Sequence, residues 1–239
     1  VWNDVRVLNL FTGLCLAVAA ALLAYGLLWQ VVQSDAFAVR HIDVTGDVSH
    51  LTRQQVQAVV YGHLRGTFFQ VNLPSARDAF AKLPWVRHVQ VRRRWPDRIE
   101  FAVEEHRPLA RWGSTALVNE YGEVFEGAAN GALPRFQGPE GTAQEVVQRY
   151  LDLGRTLESI GRRIAEIRLN ARRAWQLRLD DGTVIELGRD DIDQRLAMFV
   201  EAYERTVAQM EGGLAQVDLR YANGFAVRAK KTKQDGERA

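Results

Sequence analysis

Val89-Gln-Val-Arg-Arg-Arg-Trp-Pro-Asp-Arg-Ile-Glu-Phe-Ala-Val103 carries the clearest alternation in the chain. Val89 and Val91 point to one face and His88, Gln90, Arg92 and Arg94 to the other, and Ile99, Phe101 and Val103 continue the apolar face beyond the Trp95-Pro96-Asp97 turn. The reading is a β-hairpin with one core face and one wet face. Arg92-Arg93-Arg94 with Arg98 has the composition of a nucleic-acid or anionic-lipid site. Alternate strand residues face apart, however, and Glu100, Glu104 and Glu105 lie on the neighbouring strand within cross-strand reach. The expectation is a solvated, charge-paired sheet face, because a block of charge needs a shared face to act together.

Upstream, Val39-Arg-His-Ile-Asp-Val44 followed by Thr45-Gly46-Asp47 reads as an opening strand and turn. Thr52 offers an N-cap oxygen to a helix over 53–61, with Val56, Val59 and Val60 on one face and Gly62 and Gly66 bracketing its end. A second helix is expected over 74–83, with Leu73, Ala76, Ala79, Phe80 and Leu83 at helical spacing and Pro84 forbidding continuation. Residues 37–106 therefore predict strand, helix, helix, strand, strand: a compact α+β unit with two helices over one face of three strands.

Further upstream, residues 7–32 hold no charge, and Leu10 to Leu28 as a helix spans about 28 Å, close to a bilayer's hydrocarbon core. Trp2 at one end and Tyr25 and Trp29 at the other suit the headgroup level. A cleaved signal peptide has a shorter apolar run and a small-x-small site, which Gln33-Ser34-Asp35-Ala36 is not. The segment reads as a transmembrane anchor. Gly13, Ala17 and Ala21 recur every four residues, a spacing that lipid-facing filler in an Ala-rich span also produces. Asp4 beside Arg6 on one flank and Arg40 with His41 on the other do not choose an orientation, and residues preceding Val1 would carry the deciding charges. Cys15, the single cysteine, lies inside the span, so no disulfide framework is expected. A formal charge of +2 with 25% charged residues describes a mixed soluble surface with no strong global field and no demand for nucleic acid.

Downstream, residues 107–229 read as a hairpin-rich block with two helices. Ala116 to Phe125 holds two strands around a polar turn; Trp175 to Leu179 and Val184 to Leu187 flank Asp180-Asp181-Gly182. Val147, Tyr150, Leu151, Leu157 and Ile160 give a helix over 144–160, and Leu196, Phe199, Val200, Tyr203 and Val207 one over 192–210, with Asp190 and Asp191 at its dipole-favoured start. Strands over 215–219 and 224–228 close the block, and residues 230–239 have the composition of a disordered tail.

Catalysis needs a constellation of residues. The sequence has no Gly-x-Ser-x-Gly elbow, no phosphate-binding glycine loop with Lys-Ser/Thr, no cysteine pair and no His-Glu-x-x-His. Glu104 and His106 are two metal-type ligands without a third. No enzyme and no cofactor are expected, and a binding or scaffold role leads. Its natural candidate is the last strand, which has only the polar tail after it and offers a possible edge for another chain's strand.

The ordered series Gly66-Thr-Phe-Phe-Gln-Val-Asn-Leu73, Leu83 to Asp97, Glu104-Glu-His-Arg-Pro-Leu-Ala-Arg-Trp112, Val118 to Phe125, Gly138-Pro-Glu-Gly141, Ala171-Arg-Arg-Ala-Trp-Gln-Leu177, Leu187-Gly-Arg189 and Val217-Asp-Leu-Arg-Tyr221 resembles the FtsQ/DivIB family of bacterial cell-division proteins. It is closer to the Gram-negative FtsQ branch than to DivIB. The resemblance implies a short cytoplasmic segment (1–6), one inner-membrane span (7–32), a POTRA domain (37–106) and a β domain of antiparallel strands with two helices (107–229). It implies a non-catalytic protein of the divisome, at the septum, with its bulk in the periplasm, that joins FtsB and FtsL and helps recruit and regulate septal peptidoglycan synthesis. A POTRA-bearing transport or assembly accessory is the alternative.

Carried over by position, the resemblance places Tyr221, Asn223, Gly224, Phe225, Ala226 and Val227 at an edge that FtsB extends. Arg220 stands beside that edge, and Arg172 or Arg173 faces an acidic FtsB residue. Val91 and Arg93 on the POTRA domain's second strand are its implied recruitment contacts. After Val227 the chain runs Arg-Ala-Lys-Lys, where relatives often carry an aromatic residue and prolines.

Overall fold

The computed structural model describes residues 5–32, 37–64, 67–207, 213–221 and 224–230. Trp2, Asp4, residues 33–36, Gly66, Met210, Asn223 and the tail from residue 231 lie outside the described residues. The chain divides into two compact units, Val1–Glu105 and His106–Ala239.

The first unit opens with α1 (Val5–Val32), whose Asn9–Val32 portion has a mean hydropathy of 2.1 and buries none of its side chains in the protein. A helix apolar all round and uncovered has the surface of a membrane span. Then follow β1 (His41–Thr45), α2 (Arg53–His63), α3 (Leu73–Phe80), β2 (Val86–Arg94) and β3 (Arg98–Glu105). The sheet order is β1-β3-β2, with β1 parallel and β2 antiparallel to β3.

Local chemistry explains the helix ends. Thr52 and Gln55 form a capping box at α2, each satisfying the other's backbone amide. Gly62 does not end this helix: it lies within it, and Leu64 is the C-cap. Asn72 Oδ1 accepts from the Ser75 amide at 3.1 Å and starts α3 one residue early. That helix stops at Phe80, short of the expected Leu83, because the residue before Pro84 is steered out of helical geometry; the Leu83 amide instead closes a tight turn onto the Phe80 carbonyl at 3.0 Å. Phe80 and Phe101 meet at 4.3 Å in a core completed by Val71, Ala76, Val86, Val89, Ile99 and Val103.

The wet face is charge-paired. Arg92 and Arg94 both bind Glu100, at 2.6 and 2.7 Å, and Arg87 binds Glu104 at 2.6 Å. The bonds from Arg92 and then Arg94 hold the Glu100 carboxyl down from 4.5 to about 2. Glu105 corrects the expectation, because strand parity puts it on the core side with Ile99, Phe101 and Val103. There it accepts from the Ser49, His50 and Leu51 amides and lies 2.9 Å from His50 Nδ1, and the His50 ring stacks on Trp85 at 3.7 Å. Burial pushes this carboxyl up, but its hydrogen bonds with His50, Ser49 and Leu51 outweigh that and leave it low.

The second unit holds β4 (Pro108–Trp112), β5 (Ala116–Asn119), β6 (Val124–Glu126), β7 (Arg135–Gln137), α4 (Ala143–Glu158), β8 (Ile164–Leu169), β9 (Trp175–Leu179), β10 (Val184–Gly188), α5 (Ile192–Val207), β11 (Leu214–Asp218) and β12 (Ala226–Ala229). One nine-stranded sheet runs β12-β11-β10-β9-β8-β7-β4-β5-β6. It is mostly antiparallel but not purely so: β10/β11, β4/β7 and β7/β8 are parallel pairs. Parallel neighbours need a crossover, and α4 and α5 occupy two of the three connections. Strands β4, β7 and β8 are additions to the sequence reading. On α4, Leu151 is exposed, whereas Val146 and Leu153 join the core with Val147 and Leu157.

Two outcomes follow for stability. Glu105→Ala, which removes the buried carboxylate shared by three backbone amides, costs about 1–3 kcal/mol in denaturant unfolding, and Glu105→Gln recovers part of it. Glu100, whose carboxyl is lowered by folding, contributes stability above pH 4.5 that disappears as the pH falls toward about 2. Thermal melts across that window should show a shallower acid loss for Glu100→Gln; an unchanged slope contradicts the pairing.

Candidate partner-binding edge

Strand β12 has one neighbour, β11, and nothing on its other side among the described residues. Its register fixes which backbone groups are spare. The Lys230 amide donates to the Gly213 carbonyl at 3.0 Å, so Ala229 opposite Leu214 is a non-hydrogen-bonded pair. A bulge in β11 follows, and Val227 opposite Val217 has the same phase as Ala229. The N–H and C=O groups of Val227 and Ala229 thus face outward, while those of Ala226 and Arg228 face β11.

The predicted residues separate around this edge. Ala226 and Val227 are in the strand; Gly224 and Phe225 precede it, and Arg228 and Ala229 complete it. Phe225 is an internal anchor, its ring edge-on to Phe199 at 5.7 Å, and Val227 also packs on the core. Tyr221 is 58% exposed at the preceding turn, and Asn223 lies outside the described residues. Lys230, expected in the tail, is ordered: besides its amide bond, its Nζ donates to the Asp181 carbonyl at 2.6 Å.

Arg220 is held in place. Its Nε and Nη2 donate to Asp218 at 2.8 and 2.6 Å, and its amide donates to the same carboxylate. The guanidinium bond holds Asp218 below the ordinary carboxylate range and raises Arg220. The chain lies flat over Gly188, where a Cβ would stand 3.2 Å from Arg220 Cγ. Gly188 has φ +78, so any side chain there strains the backbone as well.

Arg172 and Arg173 lie in the β8–β9 turn, at the same sheet end as Tyr221, because Trp175 pairs with Gly188 and Glu186 with Asp218. Three strand spacings, about 14 Å, separate this turn from β12. Asn170 Oδ1 accepts from the Arg172 and Ala174 amides and shapes the turn. Arg173 is tied to Glu145, while the exposed Arg172 guanidinium has no partner among the described residues. Of the two, Arg172 is the available cation.

The two candidates on β2 differ: Val91 is half-buried and Arg93 is exposed but tied down. Val91 packs on the core, and Arg93 donates to the Phe68 and Val71 carbonyls at 2.8 and 2.9 Å. Arg93 therefore ties β2 to the α2–α3 connection.

Two family models match. The FtsQ-type POTRA domain covers residues 37–106, and the C-terminal domain of cell division protein FtsQ/DivIB covers 110–220. The chain is 41% identical to cell division protein FtsQ of Burkholderia pseudomallei over 235 residues, 95% of this chain and 94% of the relative. It is 34% identical to FtsQ of Nitrosospira multiformis, covering 96% of this chain and 100% of the relative, and 38% identical to that of Bordetella pertussis, covering 95% and 92%.

The chain belongs to the FtsQ/DivIB family. As a family member it is a cell-division protein, built from an apolar N-terminal helix, a POTRA domain and an FtsQ/DivIB C-terminal domain. The C-terminal FtsQ/DivIB match ends at Arg220, just before Tyr221 and β12. The outward phase of Val227 and Ala229 eluded sequence reading because it depends on how β12 pairs with β11, which the Lys230–Gly213 bond sets.

Arg93→Ala is expected to destabilise the first unit by about 1–3 kcal/mol, since two buried carbonyls lose a charged donor. A melting temperature equal to the parent's contradicts this structural role.

Proposed function

We propose that this chain is a non-catalytic bitopic inner-membrane protein of the division septum, with its N terminus cytoplasmic and both folded units periplasmic. It binds FtsB, and with it FtsL, by accepting a strand along β12, and so helps recruit and regulate septal peptidoglycan synthesis. The observation that carries the proposal is the one-sided β12 ladder with Val227 and Ala229 turned outward.

The energetics suit a small interface. Each backbone hydrogen bond contributes about 0.5–1.5 kcal/mol net, so the two outward residues supply a few, with the Tyr221 ring and the Arg172 cation as additional contacts. Residence of both partners in one membrane adds effective concentration.

Calorimetric titration with the periplasmic part of FtsB from the same organism tests this. Ala229→Pro removes an outward donor and spares the β11 pairing, so it should weaken binding about tenfold, 1.4 kcal/mol, with little change in melting temperature. Tyr221→Ala and Arg172→Ala should each weaken binding, and Arg173→Ala less than Arg172→Ala. Parent-like affinity in Ala229→Pro rules out strand addition at this edge.

A further inference from the structure

Between residues 37 and 105, three large hydrophobic side chains are exposed among the described residues: Tyr61 at 73%, Phe69 at 48% and Trp95 at 77%. All are aromatic, and all lie at one pole. Trp95 is in the β2–β3 turn, whose Asp97 carbonyl accepts from the Arg40 and His41 amides at 3.0 and 3.4 Å. Phe69 is in the α2–α3 connection, where the Phe68 amide donates to the Phe37 carbonyl at 2.7 Å and the Phe37 and Phe69 rings meet at 5.4 Å. Arg93 bridges these two places through the Phe68 and Val71 carbonyls. Tyr61 is in the last turn of α2; the other end of that helix follows the loop clamped by Glu105, at the far end of β3.

This is also the pole where the chain arrives from α1. Five Cα steps separate Val32 from Phe37, so at most about 18 Å of chain joins the end of the apolar helix to the Phe37–Phe69 pair. Tyr and Trp rings partition to the headgroup level because one end is apolar and the other can hydrogen-bond. Arg40, Arg92, Arg93, Arg94 and Arg98 outnumber Asp43, Asp97 and Glu100 at this pole, but most of these charges are paired internally. The rings therefore carry the attraction.

We propose that this pole rests on the headgroup layer of the bilayer that α1 enters, with Tyr61, Phe69 and Trp95 as interfacial anchors. The first unit is then seated on the membrane by a tether and a contact, not by a tether alone. The inference rests on α1 spanning the bilayer, which the same preparation checks.

The test uses the full chain with Cys15→Ser, reconstituted into phosphatidylcholine–phosphatidylglycerol vesicles and carrying one fluorescent cysteine label at Trp95→Cys, Tyr61→Cys or, at the opposite pole, Gln54→Cys. Flotation with the vesicles verifies the span. Lipids spin-labelled near the headgroup should quench the labels at 95 and 61 strongly and the label at 54 little. Equal, weak quenching at all three positions in vesicle-bound protein overturns the seating and leaves the span intact; failure to float overturns the span and the seating with it.

Discussion

A β-sheet that does not close leaves backbone donors and acceptors unmade at its margins, and the nine strands of the second unit end in two such margins. Both are short: β6 has three residues and β12 four. The last strand is nevertheless firmly held. Phe225 against Phe199 fixes its start, the Lys230 bonds to Gly213 and Asp181 fix its finish, and Asp218 with Arg220 secures the end of β11 beside it. These contacts hold β12 in place with its outer side unpaired among the described residues, the preorganisation that the proposed strand addition uses, because an ordered edge lowers the entropic cost of binding.

Where alternation was long and uninterrupted, the sequence revealed the structure. The 86–105 hairpin, the two flanking helices and the apolar helix follow from period and length, and the charge pairing of Glu100 and Glu104 follows from strand parity. The same parity would have assigned Glu105 to the core. Strand β7 is three residues long and shows no period; in β8, a register shift between Ile164 and Glu166 breaks the alternation. Helix ends shifted where a cap side chain or a proline outweighed periodicity, at Asn72 and Pro84.

The candidate site was legible in location but not in detail. Motif resemblance brought Tyr221 to Val227 to one place, yet sequence could not tell Phe225 as anchor from Val227 as edge, because burial of Phe225 depends on α5. Nor could it choose between Arg172 and Arg173, since that choice turns on Glu145 in α4. The proposed anchor, seat and edge form one physical scheme, in which an apolar helix enters the bilayer, an aromatic pole rests on its headgroups and the unpaired side of β12 accepts a strand.

The most direct measurement is amide hydrogen exchange of the full chain, with and without the periplasmic part of FtsB, resolved at residues 226–229. Outward amides are protected only by a partner, whereas inward ones are protected already. The account predicts that Val227 and Ala229 exchange fast alone and slow markedly on binding, while Ala226 and Arg228 start slower and change less. Binding that leaves the Val227 and Ala229 exchange unchanged would contradict it.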